Sequence, residues 1–156
     1  MLTLSPNAFD NDPANWAIVR TQLYHLRGDR GRTAIYADSA RSSFAEQSRA
    51  APEDAQRHAL LGLALAYLGR KEEAVREGRR GVELKPISLD AYTGPYIQLQ
   101  LARIYLLVGE PEKALDQLEP LLRIPYYLSP GWLRIDPTFD PVRNNPRFKK
   151  LVEGTA

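Results

Sequence analysis

The chain has 156 residues, enough for one domain with a continuous apolar core. Its 21 basic and 19 acidic residues nearly cancel, so it lacks the strong charge excess of a nucleic-acid or membrane-surface binder. There is no cysteine, hence no disulfide or thiolate chemistry, and no apolar run long enough to span a bilayer.

Residues 1–13 hold Pro6, Asn7, Asp10, Asn11, Asp12 and Pro13 and read as an irregular lead-in. They have neither a basic start nor an apolar centre, so no signal peptide is expected. Asp12-Pro13 opens a helix as N-cap and first-turn proline. Trp16, Val19, Leu23 and Leu26 form its expected apolar stripe, and Gly28 stops it. Residues 32–50 form a second helix with Ala34, Ala37, Ala40, Phe44 and Ser48 along one side. Residues 14–51 thus make a helical hairpin. Gly28 lies 24 residues before Pro52, whereas Gly69 lies 17 before Pro86, so this second helix should run about two turns longer than its later counterpart.

Residues 52–86 give the clearest pattern. Pro52-Glu53-Asp54 is a turn, and Leu61, Ala64, Leu65 and Leu68 then recur at helical spacing with Gly62 and Ala66 between them. Gly69 supplies the left-handed cap. Lys71-Glu72-Glu73 starts the next helix, with carboxylates where the dipole favours them. Ala74, Gly78 and Gly81 line one side of it, small enough for a close helix crossing, and Pro86 ends the unit.

Residues 87–125 repeat the pattern 40 positions later: Leu101 for Leu61, Ala102 for Gly62, Gly109 for Gly69, Ala114 for Ala74. The insert ISLDAYTGPY accounts for the wide spacing. It is expected to extend the first helix back to about Leu89, kinked near Gly94-Pro95, with a short turn and a break as the alternative. Residues 126–156 are proline-rich. They read as a helical turn at Pro130–Leu133, a turn at 136–142, and a last helix from Pro146 to Val152 capped by Asn145. Trp132, Phe139, Phe148, Leu151 and Val152 are expected to cover the apolar face that a repeat array leaves bare at its end.

Leu61-Gly62, Gly69, Ala74 and Pro86, with Leu101, Tyr105, Gly109 and Ala114 in the second copy, resemble the tetratricopeptide repeat family. The spacing of 40 departs from the family's usual period of about 34. The Asp-Pro-x-Phe-Asp-Pro and Asn-Pro-Arg-Phe pieces resemble the tail that closes such arrays in large bacterial signalling proteins, including serine/threonine kinases. The resemblance implies an all-α fold: three hairpins stacked right-handedly, closed by the proline-rich tail. It also implies a groove lined by the first helix of each pair. That face would comprise Gln56, Ala59, Leu60, Leu63 and Tyr67, then Tyr96, Leu99, Gln100, Arg103 and Leu106, with Arg20, Tyr24 and Arg27 from the first helix. The family's clamp for a C-terminal carboxylate needs Lys and Asn where Ala59 and Leu63 stand, so that ligand is not expected.

No catalytic pattern competes with this reading. His25 and His58 have no metal-ligand spacing around them. Asp136 and Asp140 each precede a proline and suit turn and cap duty better than an acid/base pair. The basic residues from Arg70 to Lys85 are interleaved with Glu72, Glu73, Glu77 and Glu83, as on a solvated face. The expected function is a non-catalytic interaction module without metal or cofactor, nucleic acid or direct membrane contact. Its partner would be a protein, a peptide or another domain of the parent chain. Homo-oligomerisation is the alternative.

Overall fold

The computed structural model describes Ser5 and residues 11–153. Among these the chain is all-α: α1 (Pro13–Leu26), α2 (Arg30–Ala50), α3 (Ala55–Tyr67), α4 (Lys71–Leu84), α5 (Gly94–Leu107), α6 (Pro111–Leu121), α7 (Pro130–Ile135) and α8 (Pro146–Glu153), with a 3₁₀ segment at Pro137–Val142. The lead-in before Asn11 lies outside the described residues, apart from Ser5.

Local chemistry sets the boundaries. Asp12, Asp29 and Asp54 cap α1, α2 and α3, each carboxylate accepting backbone N–H bonds from the first turn. Gly28, Gly69 and Gly109 end the first helix of each pair at φ of 72°, 74° and 76°. The same bond closes all three turns: Asp29 N–H to Tyr24 C=O, Arg70 to Leu65, and Glu110 to Tyr105, at 3.0, 3.0 and 2.8 Å. α2 has 21 residues against 14 in α4, the two extra turns read from the Gly28–Pro52 distance.

The helices pack as successive pairs, α1 on α2, α3 on α4 and α5 on α6, and α3 also contacts α2 and α5. Small residues permit the central contacts. A Cβ on Gly62 would lie 2.8 Å from the Ala74 carbonyl oxygen and 2.9 Å from the Gly78 nitrogen. One on Gly81 would lie 2.8 Å from the Ala55 oxygen, and one on Gly78 would meet Ile104 of α5 at 2.7 Å. Ala74 and Ala114 are completely buried at their crossings.

Four sequence expectations need correction. α5 does not extend back to Leu89 and has no kink, because Pro95 sits in its first turn, where the missing N–H costs nothing. Residues 87–93 form isolated turns instead, with the Asp90 carboxylate accepting from the Tyr92 and Thr93 N–H groups. Gly94 lies so close to the Ile87 backbone that a Cβ would approach it to 2.9 Å. In α1 the buried side is Ala14, Ala17, Ile18, Thr21 and Tyr24, while Leu26 is exposed. In α2 Thr33 takes the place expected of Ala34, its hydroxyl donating to the Asp29 carbonyl. Trp132 does not cover the last hairpin, being 43% exposed, and its neighbour Leu133 is buried in its stead.

Phe139, Phe148, Leu133 and Val142 do form the lid, packed with Leu115, Leu118 and Leu121 of α6 in one apolar cluster. Arg147 fastens it electrostatically, 2.7 Å from both Asp116 and Glu119 and 3.4 Å from Glu112. At the other end of the molecule Asp12 joins three helices. Besides capping α1 it accepts from Gln47 of α2 at 3.2 Å and Arg57 of α3 at 3.0 Å.

Two outcomes test this packing. Gly62→Ala should lower unfolding free energy in urea by about 1–3 kcal/mol, because its methyl meets backbone atoms that cannot turn aside. Gly31→Ala, where a Cβ would meet only Asp29 Oδ1 at 3.8 Å, should raise it by about 0.4–1 kcal/mol. Comparable losses in both would contradict the seam.

Asp12 yields a pH prediction. Burial pushes its carboxyl up, but bonds from Arg57, the Ala14 N–H, Gln47 and the Asn15 N–H outweigh this and hold it below its ordinary 3.8. The stability it adds is therefore fully present above that ordinary value and is lost as pH falls from about 4 through the lowered folded value. Asp12→Asn should be less stable than the parent at pH 7 and lose less stability between pH 5 and the acid limit of folding. Identical acid slopes in thermal melts would exclude this role.

Candidate functional site

α1, α3 and α5 turn one side to a common solvent-facing depression. It holds two adjoining pockets of about 360 Å³ each, which share Gln22 and Arg103 as their dividing wall. The inner pocket is framed by Asn15, Ile18 and Val19 of α1, Gln56 and Leu60 of α3, and Tyr96 and Gln100 of α5. The outer pocket takes His25 and Leu26 from α1, Tyr67 from α3, and Leu106 and Leu107 from α5. Its far wall comes from the tail: Trp132, Ile135, Asp136, Pro137, Thr138 and Pro141. Both volumes fall in the range of small-ligand or side-chain sites.

Arg103 is half-buried at the centre. Its guanidinium donates one long bond, 3.4 Å to the Thr138 hydroxyl, and makes no ion pair among the described residues. The carboxylate nearest in the pocket, Asp136, is already engaged. Its Oδ1 accepts from the Thr138 N–H at 2.9 Å and its Oδ2 from the Trp132 indole N–H at 3.1 Å. Two phenols flank the guanidinium. Burial pushes Tyr67 up to about 12, with Arg103 partly opposing and Asp136 adding to the rise. Burial also raises Tyr96, Arg103 again opposing. Both hydroxyls therefore stay protonated at neutral pH and can donate. The Tyr67 ring is held edge-on to His25, centroids 5.1 Å apart.

Gln100 carries a second unmet bond. It is 3% exposed, and its Oε1 is buried without a hydrogen-bond partner among the described residues. Such an acceptor in the wall of an open pocket is costly unless a donor fills it.

Of the residues expected in the groove, the structure brings Gln56, Tyr96, Tyr67, Arg103 and Leu106 together in these two pockets, with Leu60 and Gln100. Ala59, Leu63 and Leu99 are instead sealed in the core, at 0%, 1% and 2% exposure. Tyr24 is also displaced from the groove. Its ring stacks on Tyr36 of α2 at 5.4 Å under the Arg32 guanidinium, while Arg20 lies among Trp16, Tyr24 and Tyr36. The α1 contribution is Asn15, Ile18, Val19 and Gln22 to the inner pocket and Gln22, His25 and Leu26 to the outer one; Val19 and Leu26 were expected to face the core instead. The tail wall was not readable at all, because Asp136-Pro137 signals a cap and says nothing of the groove it lies against.

The opposite side, between α4 and α6, has a wider hollow of about 600 Å³ bordered by His58, Lys71, Arg76, Glu77, Arg79, Glu83 and Lys113. Its charges largely answer one another: Lys71 reaches Glu110 at 2.6 Å, and His58 bridges Glu77 at 2.7 Å and the Pro52 carbonyl at 2.9 Å. Among the described residues no group of three or more His, Cys, Asp or Glu side chains could hold a metal ion, and no helix is long and apolar enough to cross a membrane. Comparison with protein-family models gives no match for this chain, and neither does comparison with curated proteins.

Proposed function

We propose that this chain is a non-catalytic protein-interaction module of the tetratricopeptide kind, a right-handed stack of three hairpins that binds a peptide segment or a neighbouring domain along the α1/α3/α5 face. We place it within a larger bacterial signalling protein, on the resemblance of its tail. The observation that carries the reading is the open double pocket with Arg103, which makes no ion pair among the described residues, at its dividing wall beside Tyr67 and Tyr96. Aromatic rings and arginine are the side chains most often found as binding anchors, since they bury area or fork onto carboxylates at small entropic cost. The Gly28, Gly69 and Gly109 turns and the buried Ala74 and Ala114 agree with such a repeat. Self-association is the second reading, favoured by the exposed Leu26, Trp132 and Ile135 on the rim of the outer pocket.

A photo-crosslinking residue in place of Gln56, which is exposed in the groove, should form adducts with another protein in the source cells. The same residue in place of Arg76, on the opposite side, should form few. Equal labelling at both positions, or labelling from Arg76 alone, would contradict the groove as the working face.

A further inference from the structure

We infer that the groove takes an extended segment of a different protein, with an acidic side chain on Arg103 and a neighbouring apolar side chain in the outer pocket walled by the tail. This rests on the interaction-module reading above and adds the chemistry of the partner. Arg103 is open to an anion: of its five N–H donors one makes a long bond among the described residues, and the pocket's own carboxylate, Asp136, is occupied by Thr138 and Trp132. The apolar position follows from the lining of the outer pocket, where Leu106, Leu107, Ile135 and Pro137 stand beside that guanidinium.

The segment must be extended because of Gln100. Its buried Oε1, which has no partner among the described residues, can accept an N–H from the ligand, and the carboxamides of Asn15, Gln22 and Gln56 line the same pocket. An extended chain presents free backbone N–H and C=O groups to such amides, whereas a helix has spent its own internally. Charge complementarity thus selects acid over base, and the orphan acceptor selects strand over helix. The tail fixes where the apolar side chain goes, since Arg147 and Phe148 hold that wall against α6.

The test is selection of a random dodecapeptide library on the full chain, with affinities of enriched peptides measured by fluorescence anisotropy. The enriched sequences should share Asp or Glu beside Leu, Ile, Phe or Trp. Exchanging that acid for its amide, or making Arg103→Glu, should weaken binding by about tenfold or more, and a lysine in the acid's place should restore binding to the Arg103→Glu chain. Ile135→Ser, at a site 72% exposed, and Gln100→Leu should each weaken binding several-fold while the helical melting curve stays within a few degrees of the parent's. Enriched peptides that crosslink from position 56 yet lack an acid, or ignore Arg103→Glu, would overturn this inference and leave the groove standing. Failure to enrich any peptide, with no adducts from position 56, would overturn both. A homodimer that excludes peptide and dissociates on Ile135→Ser would overturn both in favour of self-association.

Discussion

α4 can lie against both α3 and α5 only because side chains are nearly absent where they meet. Gly62 faces the backbone of α4 at Ala74 and Gly78, Gly81 faces the α3 backbone at Ala55, and Gly78 receives Ile104. Each contact would be broken by one methyl group. Close packing of this kind is unforgiving, since cores at crystal-like density transmit even small volume changes. Ile104, fully buried, also joins the cluster that includes Ile18, Phe44 and Ala64, so the seam ties the first three helices to the third pair.

From that seam the position of the groove follows. With α4 behind them, α3 and α5 lie side by side, and their remaining free faces carry Gln56, Leu60 and Tyr67 next to Tyr96, Gln100 and Arg103. α1 supplies the opposite bank, anchored through Asp12 to Gln47 and Arg57. The tail completes the outer pocket as a consequence of stability. Phe139 and Phe148 must cover Leu115, Leu118 and Leu121, and in doing so they bring Asp136, Thr138 and Trp132 beside Arg103. Ion pairing of Arg147 with three carboxylates adds orientation more than energy, because such partly exposed pairs contribute little each.

Much of this was legible in the residues. Periodicity with glycine and proline punctuation placed the six main helices, and Asn145-Pro146 placed the last one. The buried Ala74 and Ala114 followed from the repeat register. Reading failed where two local signals competed. Pro95 can kink a helix or begin one, and Asp90 with the tight Gly94–Ile87 approach decided for the latter. The α1 stripe of Trp16, Val19, Leu23 and Leu26 lost to a smaller face, Ala14, Ala17 and Ile18, because α2 and α3 approach closely there. For the groove, carrying over whole helix faces counted Ala59, Leu63 and Leu99 as accessible when neighbouring helices bury them. Arg103, Tyr67 and Tyr96 came from the same carried-over faces and do reach the pockets, because their side chains are long enough to stay partly solvated. The Asp136 wall and the unpartnered Gln100 oxygen depend on tertiary contacts between segments 35 residues apart or more, as in the Arg103–Thr138 bond, and no local pattern encodes them.

We propose the α1/α3/α5 face with its tail wall as the working surface. Amide hydrogen exchange, with and without a selected acidic peptide, tests it most directly. Slowed exchange is expected in the first helices of the pairs and at residues 132–141, with the exposed side of α4 and α6 unchanged. Slowed exchange confined to α4 and α6, around Arg76 and Lys113, would contradict it.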